Sequence, residues 1–215
     1  AEIITLSDAP PKHDYHCSLM SLPLAFGTTV VDVPRFEQYI FPSQDYLHKW
    51  RSLTSSSGND KIGIVARGSI SHKNDRNRSM DLESLLQFLP KTADYVVLQR
   101  EISEKEKRVI NTSDNIMAPG KKLESFSDTA AICEQLDLIV SVDTSVAHLA
   151  AAMGKPTVII LPYRPDWRWG AGGHETVWYP NATLLRQEHH GGWASAFNCW
   201  GSKFPAISGI LRFET

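Results

Sequence analysis

The chain has 215 residues, 42% hydrophobic and 21% charged, with a net charge of -2. That length and balance supply an ordinary buried core. The near-neutral charge excludes a global basic field for nucleic acid or an anionic membrane surface, so any anion site must come from local clustering.

Three cysteines, Cys17, Cys133 and Cys199, stand far apart without CxxC spacing. This argues against a disulfide framework or a structural zinc site and fits a reducing, cytoplasmic setting. No apolar run approaches the roughly 20 residues of a membrane span, and no basic-then-apolar leader stands at the start. The chain opens at Ala1 inside an expected strand, Glu2 to Leu6, as a domain cut from a longer protein would. Residues 1–42 then carry five prolines. A short helix is expected near Ser18–Phe26 and another over Gln44–Leu53, followed by a polar loop, Thr54–Asp60. Residues 1–60 therefore read as a leading segment and 61–215 as the main domain.

Within that domain, short apolar runs alternate with helical patterns. Ile62–Ala66, Tyr95–Gln99, Leu138–Val142 and Thr157–Leu161 suit strands buried on both faces. Leu82, Leu85, Leu86 and Leu89 recur at helical spacing, as do Val146, Leu149, Ala150 and Met153. The alternation predicts an α/β fold: a Rossmann-like open parallel sheet with helices on both faces. A terminal helix is expected within Trp193–Phe213, against the presence of Pro205 and Gly209.

In such a sheet, ligands bind beyond the C-terminal ends of the strands. Four strands deliver polar residues there: Arg67-Gly68-Ser69, Arg100, Asp143-Thr144-Ser145, and Pro162-Tyr163-Arg164. The first of these loops, residues 67–79, holds Arg67, Lys73, Arg76 and Arg78 against one acid, Asp75. Guanidinium forks, a point-charge lysine and the close backbone approach at Gly68 and Ser69 suit a diphosphate; a solvated basic loop has the same composition. Neither a Walker loop nor a GxGxxG fingerprint is present.

The segment 142–155 feeds a buried strand into a helix with Asp143 as the expected N-cap and Gly154 before Pro156 as the stop. Thr144, Ser145 and His148 cluster at its first turn, where free amides and the helix dipole favour phosphate. A purely structural capped helix accounts for the same residues. Asp128 reads first as a helix cap and second as a ribose or phosphate contact. In residues 161–169, Trp167 and Trp169 either wall a pocket or cover core edge, and Asp166 can pair with Arg168.

The run DLIVSVDTSVAHLAAAMGKPTVIILPYRPDWRW, together with HKNDRNRS, CSLMSLPLAFGT, LLRQ and GGW, resembles the C-terminal domain of bacterial tetratricopeptide-linked glycosyltransferases. These are related to the lipopolysaccharide heptosyltransferases and, more distantly, to O-linked N-acetylglucosamine transferases. The resemblance implies one half of a two-domain GT-B fold, with residues 1–60 as the end of an N-terminal domain plus the interdomain linker. The C-terminal half would bind a nucleoside diphosphate sugar. The N-terminal domain, missing here in cis, would hold the acceptor (a glycan, a lipid-linked glycan or a protein hydroxyl) and the usual carboxylate base. Lys73 and Arg78 would contact the diphosphate or sugar. Asp143, Thr144, Ser145 and His148 would hold phosphates and sugar, with Gln99 and Asp128 on the nucleoside side. Lys73 and His148 would then be the residues closest to catalysis, His148 as a leaving-phosphate contact or a base.

The expected reaction is sugar transfer, inverting by resemblance. No DxD occurs in the chain, so no metal or other cofactor is expected. No membrane span and no nucleic-acid partner are expected either, and the expected location is cytoplasmic or peripheral to the inner membrane. A non-catalytic nucleotide-binding module and a nucleotide-sugar epimerase-like enzyme remain as alternatives.

Overall fold

The computed structural model describes residues 4–5, 7–54, 58–69 and 71–198. Its contacts divide the chain into two compact units, 1–34 and 35–215. The smaller unit contains a 3-10 turn, Leu19–Ser21, running into a short helix, α1 (Leu22–Ala25), with Pro23 in its first turn. Proline is tolerated there because the amide it lacks would have no helical partner. The strand expected over Glu2 to Leu6 falls mostly outside the described residues, and Ile4 and Thr5 are not in a strand.

In the larger unit, α2 (Gln44–Trp50) continues into a 3-10 turn, Arg51–Thr54. Residues 35–60 group with the sheet by their contacts, although the sequence pattern sets the boundary at 60/61. Then follow β1 (Lys61–Val65), α3 (Asp75–Arg78), α4 (Leu82–Leu86), β2 (Asp94–Val97) and α5 (Glu104–Asn111). The chain continues through β3 (Ile116–Met117), α6 (Phe126–Glu134), β4 (Leu138–Val142), α7 (Ser145–Ala152), β5 (Thr157–Leu161), β6 (Ala182–Arg186) and α8 (Trp193–Phe197). The rest of the expected terminal helix, with Pro205, Gly209 and Cys199, lies outside the described residues.

The six strands form one sheet in the order β3-β2-β1-β4-β5-β6, and every pairing is parallel. This is an open Rossmann-like α/β sheet. Successive strand side chains point to opposite faces, so each buried strand serves two cores. Ile62, Ile64, Val140 and Val142 pack with Leu82, Leu85 and Phe197. Val65, Val96 and Ile139 pack on the other face with Ala131, Ile132 and Met153. Two apolar faces explain why β1, β2, β4 and β5 lack polar alternation in sequence. The order reverses between β1 and β4, whose outgoing loops part to opposite sides and leave a crevice.

Helix α7 ends as expected. Gly154 takes φ 77°, and a Cβ there would stand 2.8 Å from the carbonyl oxygen of Glu37. Glycine meets both the left-handed backbone and the close approach.

Candidate functional site

A cavity of about 1060 Å³ opens at the crevice, walled by the loops after β1, β2, β3 and β4. Among the residues proposed from sequence, it brings together Arg67, Gly68, Ser69, Arg78, Gln99, Thr144 and Ser145. Lys73, Arg76, Asp128, Asp143 and His148 do not line it.

The decisive contact joins the basic loop to the start of α7. Arg78 Nη1 donates to the carbonyl oxygen of Asp143 at 2.7 Å, while its Nε lies 3.4 Å from Asp75 Oδ1. Asp75 also accepts from Ser79 Oγ at 2.9 Å, and Ser79 Oγ accepts the Gly68 amide at 3.0 Å. The loop is thus folded on itself beneath the guanidinium. A Cβ on Gly68 would lie 2.3 Å from Arg78 Nη2 and 2.7 Å from Asp75 Oδ1. Only glycine leaves room for Arg78 to lie flat against the turn.

At the other side of this contact, the N-cap of α7 is Thr144, not Asp143: Thr144 has φ -139° and ψ 166°. Asp143 is displaced one residue outward, its peptide held by Arg78. The Thr144 hydroxyl turns inward to Ser141 Oγ at 2.9 Å and makes no cap hydrogen bond. Helices α5 and α6 instead carry complete capping boxes, Ser103/Glu106 and Ser125/Asp128. Ser145 and Val146, in the first turn of α7, therefore border the cavity with no side chain capping their amides, and the helix dipole adds partial positive charge there.

Three candidates are engaged by other protein groups in the walls of the cavity. Arg67 is paired to buried Glu106 through Nε at 2.9 Å and Nη2 at 3.1 Å, and it also donates to the Glu101 carbonyl. Gln99 is buried; its Oε1 accepts the Ala66 amide at 2.8 Å and its Nε2 donates to Glu106 at 2.7 Å. Burial pushes the Glu106 carboxyl upward, but bonds from Arg67, Ser103 and Gln99 outweigh it and hold the carboxyl below its ordinary range. Ser69 is exposed and shares its hydroxyl with Ser71 at 2.7 Å.

Two expected ligand residues are engaged within the protein instead, Asp128 in the helix-start role that was its first reading. Asp128 has no free edge for a ribose: Oδ1 accepts Lys49 at 2.7 Å and Trp50 at 2.8 Å, and Oδ2 accepts the Ser125 amide at 2.9 Å. Burial raises its carboxyl, yet those bonds prevail and bring it to about 2. His148 turns to Trp169, with ring centroids 4.9 Å apart, and Nδ1 meets Tyr179 Oη at 3.0 Å. Burial, with the charge of Arg168, depresses its pKa against the opposing pull of Asp143 and Asp166. The ring packs within this aromatic cluster and does not line the cavity. Trp169 is buried in that stack, while Trp167 is 71% exposed. Asp166 and Arg168 pair at 2.7 Å. Lys73, before α3, and Arg76, within it, are exposed.

Glu106 is a site residue with one sequence signal, S-x-x-E at Ser103, which is a cap signature. The cavity also takes in Arg100 and an apolar lining, Leu98, Ile102, Leu123, Phe126 and Val146, which no motif in the sequence marks. Among the described residues, no group of three or more His, Cys, Asp or Glu is placed to hold a metal ion, and no helix is long and apolar enough to cross a membrane.

With an uncapped helix start, a bridging arginine and a crevice at the switch of strand order in place, the comparisons bear on the same region. Residues 88–190 match the family model of glycosyltransferase family 9 (heptosyltransferase). The match runs from the approach to β2 to the loop after β6, so it includes α7 and leaves out the basic loop. Among curated proteins, none matches the chain by sequence. Two solved structures share the fold. The glycosyl transferase family 9 protein of Veillonella parvula DSM 2008 superposes with a TM-score of 0.51 at 12% identity over 69% of this chain. The E. coli ADP-heptose lps heptosyltransferase II superposes with a TM-score of 0.55 at 13% identity over 86% of this chain. The chain spans 42% and 57% of the lengths of these two proteins.

Proposed function

We propose that the chain is the donor-binding half of a glycosyltransferase that transfers a sugar from a nucleoside diphosphate sugar to an acceptor hydroxyl. One observation carries the reading: Arg78 and the uncapped start of α7 meet at the Asp143 carbonyl and open onto one cavity. Guanidinium N–H groups and helix amides together form a cradle for a diphosphate. The apolar lining beside them, with Phe126 55% exposed, suits a flat nucleobase. The partial family match and the shared fold support the same class.

In the proposed reaction, the acceptor oxygen bonds to the anomeric carbon as the bond from that carbon to the diphosphate oxygen breaks. The electron pair leaves with the diphosphate, and the acceptor proton goes to a base in the acceptor half. Charge growing on the departing diphosphate is met by donors already in position, Arg78 and the amides of Ser145 and Val146. This places the catalytic weight on fixed charge and dipole, without a metal and with inversion at the anomeric carbon. Lys73, on the exposed loop, supplies a second cation from the solvent side.

Calorimetry with ADP, UDP and GDP tests the reading. Arg78→Ala is expected to weaken the nucleoside diphosphate that binds by about tenfold or more, the worth of a charge-assisted contact, while the far-ultraviolet spectrum stays unchanged. Undiminished affinity in a folded Arg78→Ala variant would remove the basis of the assignment.

A further inference from the structure

The turn that brings Arg78 to the cavity is itself held from behind. The structure assigns this task to Glu106: it is a positioning residue, which sets the place of Arg78 through Gln99 and Arg67 without lining the cavity itself. Its bearing on diphosphate binding rests on the function proposed above.

The order of donors and acceptors forces the arrangement. The register of β1 with β2 ends at Ile64 and Val97. Just beyond it, the amides of Ala66 and Arg67 donate to Gln99 Oε1 at 2.8 and 3.3 Å. A backbone amide only donates, so Gln99 must present its oxygen there and turn its nitrogen the other way. That nitrogen needs an acceptor, and Glu106 Oε1 receives it at 2.7 Å. Arg67 Nε reaches the same oxygen at 2.9 Å, while Arg67 Nη2 and the Ser103 amide reach Oε2 at 3.1 and 2.7 Å. Four hydrogen bonds thus converge on one carboxylate, in a residue only 5% exposed. An ionised carboxylate accepts all of them. An amide in its place would set a donor against a donor and leave buried groups unpaired.

From this anchor the constraint runs to Arg78. The Ala66 carbonyl accepts the Met80 amide at 2.8 Å, and the Gly68 amide donates to Ser79 Oγ at 3.0 Å, so the two ends of the basic loop are closed on each other. Gly68 lies so close to Arg78 that a Cβ would stand 2.3 Å from Nη2. A shift in the turn at Ala66–Gly68 therefore displaces the guanidinium, and with it the bond to the Asp143 carbonyl. Glu106 stands on α5 and Arg78 on α3, yet the charge of the first fixes the place of the second.

Glu106→Gln tests this, read by calorimetry with inorganic pyrophosphate, ADP and UDP and by nuclear magnetic resonance of the ¹⁵N-labelled chain. The variant is expected to move the Gly68 amide and Arg78 Nε–H signals in the free protein, to leave the Asp128 amide in place, and to weaken pyrophosphate about tenfold. The exchange Gln99→Glu/Glu106→Gln puts the carboxylate against the Ala66 and Arg67 amides and an amide nitrogen against the carboxylate, at unchanged net charge. It should return both signals and bring affinity to within about threefold of the wild type. A residue that only stabilised the fold would lower the melting temperature and leave the affinity of the folded protein as it was. If Glu106→Gln does not fold, Gln99→Met, which keeps the Arg67–Glu106 pair, is read in its place with the same expectations. Should the wild type bind neither pyrophosphate nor nucleotide while the two signals move in the variant and return in the exchange, Glu106 keeps its role in placing Arg78 and the diphosphate reading falls. Unmoved Gly68 and Arg78 signals, full affinity in the folded variant of a wild type that binds, or an exchange no better than the single change overturns the proposal.

Discussion

Lys49 and Asp128 stand 79 residues apart, and their 2.7 Å contact ties α2 to the start of α6. The Asp128 carboxyl titrates at about 2 in the folded protein against an ordinary 3.8. The native state thus binds fewer protons than the unfolded one, and the stabilisation is complete above 3.8. It is lost as pH falls through that value toward 2, and it amounts to about 2 kcal/mol. Asp128→Asn should therefore lower the stability measured by urea unfolding at neutral pH by about that amount. Thermal melts should show the gap between variant and wild type closing as the solution is acidified from about pH 5 to about pH 2. A gap that persists unchanged at the acid end would mean that packing, not charge, is what the carboxylate contributes.

At the scale of elements, the contrast among helix starts makes its own prediction. Helices α5 and α6 close their first turns with their own side chains, whereas α7 does not. Without ligand, the Ser145 and Val146 amides should exchange with deuterium faster than the capped amides of Glu106 and Asp128. Saturation with the nucleoside diphosphate that binds should slow them by at least about tenfold. Equal protection in both states would place the anion elsewhere.

The elements themselves were unevenly legible. The four central strands announce themselves because both faces are buried, which enforces unbroken apolar runs. Strand β3 has two residues, and β6 mixes Thr183 and Arg186 with its leucines, so neither edge strand shows such a run. Helix α5, EKEKRVIN, has only Val109 and Ile110 as apolar side chains, too few to reveal a stripe. The site followed the same logic. A cationic loop after a buried strand could be read directly. The direction each side chain takes could not, because partners distant in sequence decide it: Glu106 for Arg67, Tyr179 and Trp169 for His148, Lys49 and Trp50 for Asp128.

For the molecule as a whole, a net charge of -2 means that no long-range field draws an anion in. Binding should depend on the few cations at the sheet edge. Raising sodium chloride from about 0.05 M to about 0.5 M should weaken diphosphate affinity severalfold, as screening shortens the reach of exposed charges such as Lys73. Affinity that is indifferent to salt would leave only the dipole and close hydrogen bonds at work. The Arg67–Glu106 pair bears on the same balance. Because a buried carboxylate pairs with that arginine, the charge left at the β2 end of the crevice comes from exposed Arg100 and Glu101 beside the apolar Leu98, Ile102 and Phe126, while Arg78 and the uncapped amides stand at the α7 end. Such an uneven trough has a heads and a tails. A nucleoside diphosphate bound as proposed would settle with its anionic tail toward α7 and its aromatic head toward Phe126, since the reverse pose would take the phosphates away from Arg78 and the helix amides.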